Sequence, residues 1–151
     1  MATIAQSAGH SCAPACAHRR SSNRRPSRPG ARSSAFEHLG NLEEGLQFVV
    51  NSAKLLRPGG VAVHTTEFNV SSNDKTVDDG GVVIYRRRDM EDVAARLEKD
   101  GFMVDLDFID GTLPGDALVD KYPFKGEVHL KLDLWGHTST SYGLIIHAPA
   151  A

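Results

Sequence analysis

The segment from Asn41 to Thr66, NLEEGLQFVVNSAKLLRPGGVAVHTT, constrains the fold more than any other part of the chain. It reads as a helix, a stop and a strand. Asn41 is a good N-cap, and Glu44 three residues on completes a capping box. Leu42, Leu46, Val49, Val50, Ala53 and Leu56 recur at helical spacing. Lys54 and Arg57 stand in the last turn, where cations complement the helix dipole, and Pro58-Gly59-Gly60 ends the helix. Val61, Ala62 and Val63 then open a β-rich run that reaches Asn69. A continuous apolar run of this kind reads as a strand buried on both faces, as in a parallel sheet. A helix feeding such a strand across a tight turn is one step of an α/β fold.

Further elements follow. Ser71 to Gly81 is a polar loop, and Val82 to Tyr85 a short extended piece. Asp89 reads as the cap of a second helix, with Met90, Val93, Ala94 and Leu97 on one face and Gly101 just past its end. Phe102, Val104, Leu106 and Phe108 alternate with polar or exposed-type residues, which predicts a half-exposed strand. Val128 to Leu134 alternates likewise, with His129, Lys131 and Asp133 expected on its polar side, and Tyr142 to His147 is the last apolar strand.

The chain of 151 residues has room for one domain with a real core. Its first 34 residues contain six arginines (Arg19, Arg20, Arg24, Arg25, Arg28, Arg32), no lysine and no acid. With 17 basic and 19 acidic groups in all, the remainder holds 17 − 6 = 11 basic and 19 acidic groups, a net charge of −8. The expected organisation is a disordered Arg/Ser/Pro-rich tail over 1–34 and a folded domain over 35–151, because the tail has too little apolar surface to offset its ordering entropy. An acidic body argues against a specific nucleic-acid partner. Both cysteines, Cys12 and Cys16, lie in the tail, so the body holds no disulfide framework. They stand with His10 and His18, but at no usual zinc spacing, and no metal is expected. No run approaches the roughly 18 apolar residues that span a bilayer, so no membrane is expected. The expected location is cytoplasmic, with organelle targeting through the Arg/Ser-rich tail as the alternative.

Glu37-His38-Leu39 before the helix, Leu55 to Asn69 (LLRPGGVAVHTTEFN) and the late SYGLIIHA give the body a resemblance to the C-terminal half of a class I S-adenosylmethionine-dependent methyltransferase. In that family Glu-His-Leu follows the fourth strand and the Pro-Gly-Gly turn precedes the fifth. The resemblance implies an incomplete doubly wound, Rossmann-like α/β sheet, ordered as the fifth strand, the antiparallel last strand and the sixth strand. It implies S-adenosylmethionine as cofactor and a small-molecule or saccharide-linked methyl acceptor. The family's cofactor site opens with a glycine-rich turn after the first strand and an acid after the second. Nothing before Ser33 supplies either, so the chain reads as a truncated member that is inactive by itself; the alternative is a non-catalytic remnant or partner-binding module.

Within the resemblance, His38 is the candidate base, and Ser34 and Glu37 stand where the cofactor would be lined. In open α/β sheets the reacting groups sit at the carboxyl ends of strands. Glu67 is therefore the second catalytic candidate, and Thr65, Asn69 and Tyr85 the substrate contacts. Thr65 and Asn69 also suit plain loop capping. Arg86, Arg87 and Arg88 after Tyr85 form a basic run that suits an anionic substrate or a solvated surface. The strand Val61 to Thr66 lacks its natural neighbour on this reading. An open edge of that kind predicts a homodimer through the edge or cover from the tail.

Overall fold

The computed structural model describes residues 32–33, 36–79, 81–109, 111–125 and 130–151. These form an α/β arrangement in which a mixed sheet packs against two helices. β1 (Arg32–Ser33) leads through a 3-10 turn (Phe36–His38) to α1 (Leu42–Ala53) and β2 (Val61–Asn69). β3 (Asp78–Asp79) and β4 (Val82–Val83) make a small hairpin. α2 (Arg87–Lys99), β5 (Met103–Asp105), β6 (Val119–Asp120), β7 (Lys131–Leu134) and β8 (His137–His147) complete the order. Of the tail expected over 1–34, only Arg32 and Ser33 are among the described residues.

β2 and β8 are the spine. They pair antiparallel from Val61↔His147 to Asn69↔Ser139. β1 lies parallel on the other edge of β2, with Arg32 opposite Val63 and Ser33 opposite His64. β5 and β7 share the far edge of β8 end to end, and β6 runs parallel beside β7. Among the described strands of this sheet, β8 alone runs against the rest.

One face of the sheet carries the core. Ala62, His64, Thr66 and Phe68 of β2 point to it, and their partners Ile146, Leu144 and Tyr142 do the same. Phe36, Val49, Ala53, Val83, Met90, Val93 and Leu97 fill the space below. Each large apolar side chain buried here stabilises by about 2 kcal/mol. The opposite face is open: Val61, Thr65 and Ile145 are exposed and Val63 and Glu67 half-buried. The expectation that this strand is buried on both faces is therefore corrected. An apolar run reports hydrophobicity, and burial needs a covering layer, which α1 and α2 supply on one side.

Two local expectations also change. α1 stops at Ala53, four residues before Arg57; Leu55 beyond it is exposed and Leu56 packs against the core from the turn. The chain is then bound to the far end of the protein, with Gly59 N–H donating to Pro149 O and Ala148 N–H to Gly60 O. α2 begins at Arg87 with Arg86 as N-cap, and Asp89 sits at its third residue. The Asp89 carboxylate accepts from the Arg86 backbone N–H at 2.8 Å, so it caps from inside the first turn. On the edge of β2 the second of the two expected outcomes, cover from the tail, is what the structure has. β1 covers it at Val63 and His64, and Tyr85 takes the same slot further along through Tyr85 N–H to Glu67 O and Asn69 N–H to Tyr85 O. A dimer through that stretch of edge has no free ladder to use.

The Tyr85 slot depends on a helix glycine. The Tyr85 ring lies 4.7 Å from that of Phe36, and its hydroxyl donates to Phe36 O at 3.2 Å. A Cβ on Gly45 would stand 1.8 Å from that hydroxyl and 2.6 Å from Phe36 O. Glycine costs a helix interior about 1 kcal/mol relative to alanine, and here the close approach requires it. Gly45→Ala is expected to lower stability in chemical denaturation by about 2 kcal/mol or more, despite the better helix propensity. Adding Tyr85→Phe should recover part of the loss; a stability gain in the single variant would contradict the packing described.

Candidate functional site

Every described strand of the sheet except β8 ends on one side, and the loops there surround the expected site. Among the described residues, Thr65 and Glu67 on one side and Glu37 and His38 on the other share no hydrogen bond or ion pair. Thr65 and Glu67 stand on the open face of β2. Glu67 Oε2 accepts a hydrogen bond from Ser139 Oγ at 2.5 Å, which fixes the carboxylate across the β2–β8 ladder. Thr65 is exposed and makes no side-chain hydrogen bond among the described residues.

The second group is on the 3-10 turn. His38 is exposed, and its Nδ1 lies 3.1 Å from Gly81 O. A carbonyl only accepts, so Nδ1 carries the proton and Nε2 presents its lone pair. Glu37 Oε1 is 3.9 Å from that Nε2. Glu37 is buried, and its Oε2 has no hydrogen-bond partner. Ser34 lies outside the described residues.

Asn69 and Tyr85, expected as substrate contacts, are structural. Asn69 Oδ1 accepts from Ser71 N–H, Ser71 Oγ and Ser72 N–H at 2.8–3.0 Å, while its Nδ2 donates to Lys75 O at 3.0 Å. The amide also meets His137 Nδ1 at 3.3 Å. Its hydrogen-bonding capacity is spent on turning the chain after β2, the capping role open to it from the start. Tyr85 is fully buried. Burial pushes its phenol well above the ordinary range, and the nearby charges of Glu37, Asp89 and Asp78 push the same way.

The arginine run is likewise committed. Arg86 forks onto both oxygens of Asp89 at 2.8 and 2.9 Å and reaches Asp74 O at 2.7 Å. Arg87 pairs with Glu91 and covers the Phe108 ring at 4.7 Å from its centroid. Arg88 pairs with Asp74. Of the three, only Arg86 is buried; Arg87 and Arg88 pair at the surface. Lys131, expected on a polar face, is buried, and His129 lies outside the described residues. Position 131 borders a cleft that Phe108, Ile109 and Gly111 of the loop after β5 also line, so alternation misplaced it.

Sequence reasoning missed the aromatic stack at this end of the sheet. Phe68, Tyr142 and Phe108 lie nearly parallel, with centroids 4.8–5.7 Å apart. Clefts of about 300 and 280 Å³ flank the stack. One is bordered by Lys131, Thr140 and Ser141, the other by Ser71, Ser72, Asn73 and Arg87. An alternating pattern had placed Phe108 on a strand, but nothing local signals that three distant rings meet. No group of three or more potential metal ligands occurs among the described residues. No helix among them is long and apolar enough to cross a membrane. Comparisons with protein-family models, curated proteins and solved structures find no match to this chain.

His64 looks like part of a serine–histidine pair and is not one. Ser52 Oγ donates to Val49 O at 2.8 Å, so it accepts from His64 Nε2–H at 3.1 Å. His64 Nδ1 is then a bare, buried acceptor without a partner. Burial holds the pKa of this imidazole below its ordinary value. The native state therefore favours the neutral ring, while the unfolded chain takes up its proton near pH 6.5. This contribution to stability is full above about pH 6.5 and is lost as the pH falls below it. Melting temperatures should fall from pH 7.5 to 5.5 more steeply for the wild type than for His64→Leu; equal slopes would rule this out. Asn69→Ala should cost about 3 kcal/mol in denaturant unfolding, because it strands several loop groups at once.

Proposed function

We propose that this chain carries the acceptor-side half of a class I S-adenosylmethionine-dependent methyltransferase. The observation that carries the reading is the placement of β8. It lies antiparallel between β2 and β5, which are parallel to each other, with Pro58-Gly59-Gly60 just before β2. This is the order of fifth, last and sixth strands in that family, and Glu37-His38-Leu39 falls directly after β1, on the fourth-strand side of β2.

The described residues do not fit the cofactor. β1 stands in the fourth-strand place, and the glycine-rich turn and the acid that the family sets after its first and second strands have no counterpart among the described residues. The Glu37 oxygen left without a partner is sealed in the interior, where it cannot read ribose hydroxyls. No methyl-transfer step is therefore derived for this chain. What its residues supply is the acceptor's side. His38 Nε2 is oriented to take a proton, with Glu37 Oε1 3.9 Å away. Glu67, held by Ser139, offers a fixed acceptor for a hydroxyl or amine.

A second reading, a partner-binding module without chemistry, is favoured by the consumption of Asn69, Tyr85 and the three arginines in structure. Calorimetric titration with S-adenosylmethionine should give no saturable heat at micromolar ligand; saturable binding would overturn the separation of the two halves. The transcript around the codon for Ser33 tests the family itself. A frame encoding a strand, a glycine-rich turn and a later acid supports it. In that longer protein His38→Asn should lower the rate by about 100-fold or more. A transcript with no such frame leaves the module reading.

A further inference from the structure

Two methionines stand among the described residues, in opposite settings. Met90, in α2, is 0% exposed and belongs to the core. Met103, at the start of β5, is 61% exposed.

Strand alternation accounts for the difference. Val104, Leu106 and Phe108 pack against the core, so Met103, Asp105 and Asp107 turn away from it. The register sets Met103 beside His147, and His147 beside Val61, in one row across β5, β8 and β2. This row lies on the open face of the sheet, where Val61 and Ile145 are also exposed. Of the side chains in these rows, the thioether is the one that a peroxide readily changes.

The chemistry is simple. The sulfur lone pair attacks one oxygen of hydrogen peroxide, and the S–O bond forms as the O–O bond breaks. The proton of the transferred hydroxyl leaves with the departing hydroxide as water. Sulfur is oxidised by two electrons, and the peroxide is reduced. At position 103 the added oxygen meets solvent. At position 90 it would be a polar group sealed in a filled core, which costs both packing and desolvation. The Met90 sulfur is reached only when the fold opens.

We propose that Met103 is the peroxide-sensitive site of the folded domain, oxidised to the sulfoxide while Met90 stays reduced and the fold stays closed. The change turns an apolar side chain of the open face into a hydrogen-bond acceptor. It does so beside the His147–Asp105 pair, whose Nε2 and Oδ2 are 2.9 Å apart. A methionine sulfoxide can be reduced again, so the modification is reversible.

The test treats the intact protein, its cysteines alkylated beforehand, with hydrogen peroxide and follows each methionine by peptide mass spectrometry. Met103 should gain its oxygen at least about 100-fold faster than Met90, which waits for a rarely populated opening. In denaturant the two rates should become equal. The protein oxidised at Met103 should melt within about 2 °C of the reduced form, as a surface change does. Its NMR signals at Ile145 and His147 should shift, and Met103→Leu should remove those peroxide-induced shifts. Equal rates in the folded protein, faster reaction at Met90, or a larger fall in melting temperature as Met103 reacts overturns the proposal. So do signals at Ile145 and His147 that stay unmoved.

Discussion

The antiparallel ladder between β2 and β8 is the constraint on which the rest hangs. It joins the two longest strands over the whole length of β2 and sets which side chains face the helices. Because side chains alternate, a slip of one residue would turn His64, Thr66 and Phe68 out to the open face. Both ends of the ladder are pinned. Gly60 and Ala148 bond at one end, and at the other Val70 N–H donates to Thr138 O. The short strands β1, β5 and β7 then have fixed edges to join, and the aromatic stack forms where Phe68 and Tyr142 come near across the ladder.

The elements legible in the sequence were those with periodic signals. The Asn41 cap shows the expected bond, with Glu44 N–H donating to Asn41 Oδ1 at 3.0 Å, and Gly101 follows α2 with φ of +84°. Val104 faces the core side while Met103 is exposed, as alternation requires. What the pattern could not carry was the second layer. Hydrophobic content was the same whether one or both faces of β2 were covered, and only the tertiary arrangement decides that. The start of α2 was misread because Arg86 is an unusual N-cap; its side chain is drawn into the interior by Asp89, a contact no propensity scale contains.

The candidate site was less legible. Polar residues at the end of a strand suit both catalysis and chain turning, and composition does not separate the two. Asn69 turned the chain, while Glu67, two residues earlier and also on β2, remained a feasible functional group because Ser139 holds it by one hydrogen bond. Tyr85 had been set beside the arginines by its place in the sequence, yet its ring turns inward to Phe36. What sequence could not give for His38 is its tautomer, which the carbonyl of Gly81, far along the chain, selects.

The fork of Arg86 has a consequence for motion. Its guanidinium ties Asp89 in the first turn of α2 to the backbone of Asp74 in the loop after β2, and Asn73 Oδ1 accepts from the N–H of Arg88. The same loop is sewn to the start of β8 through Ser71. Loop, helix start and hairpin thus form one cooperative opening unit. Amide protons over this loop should not exchange as those of a free flap do; they await the fraying of α2, so access to the clefts beside Phe108 is governed by a helix end.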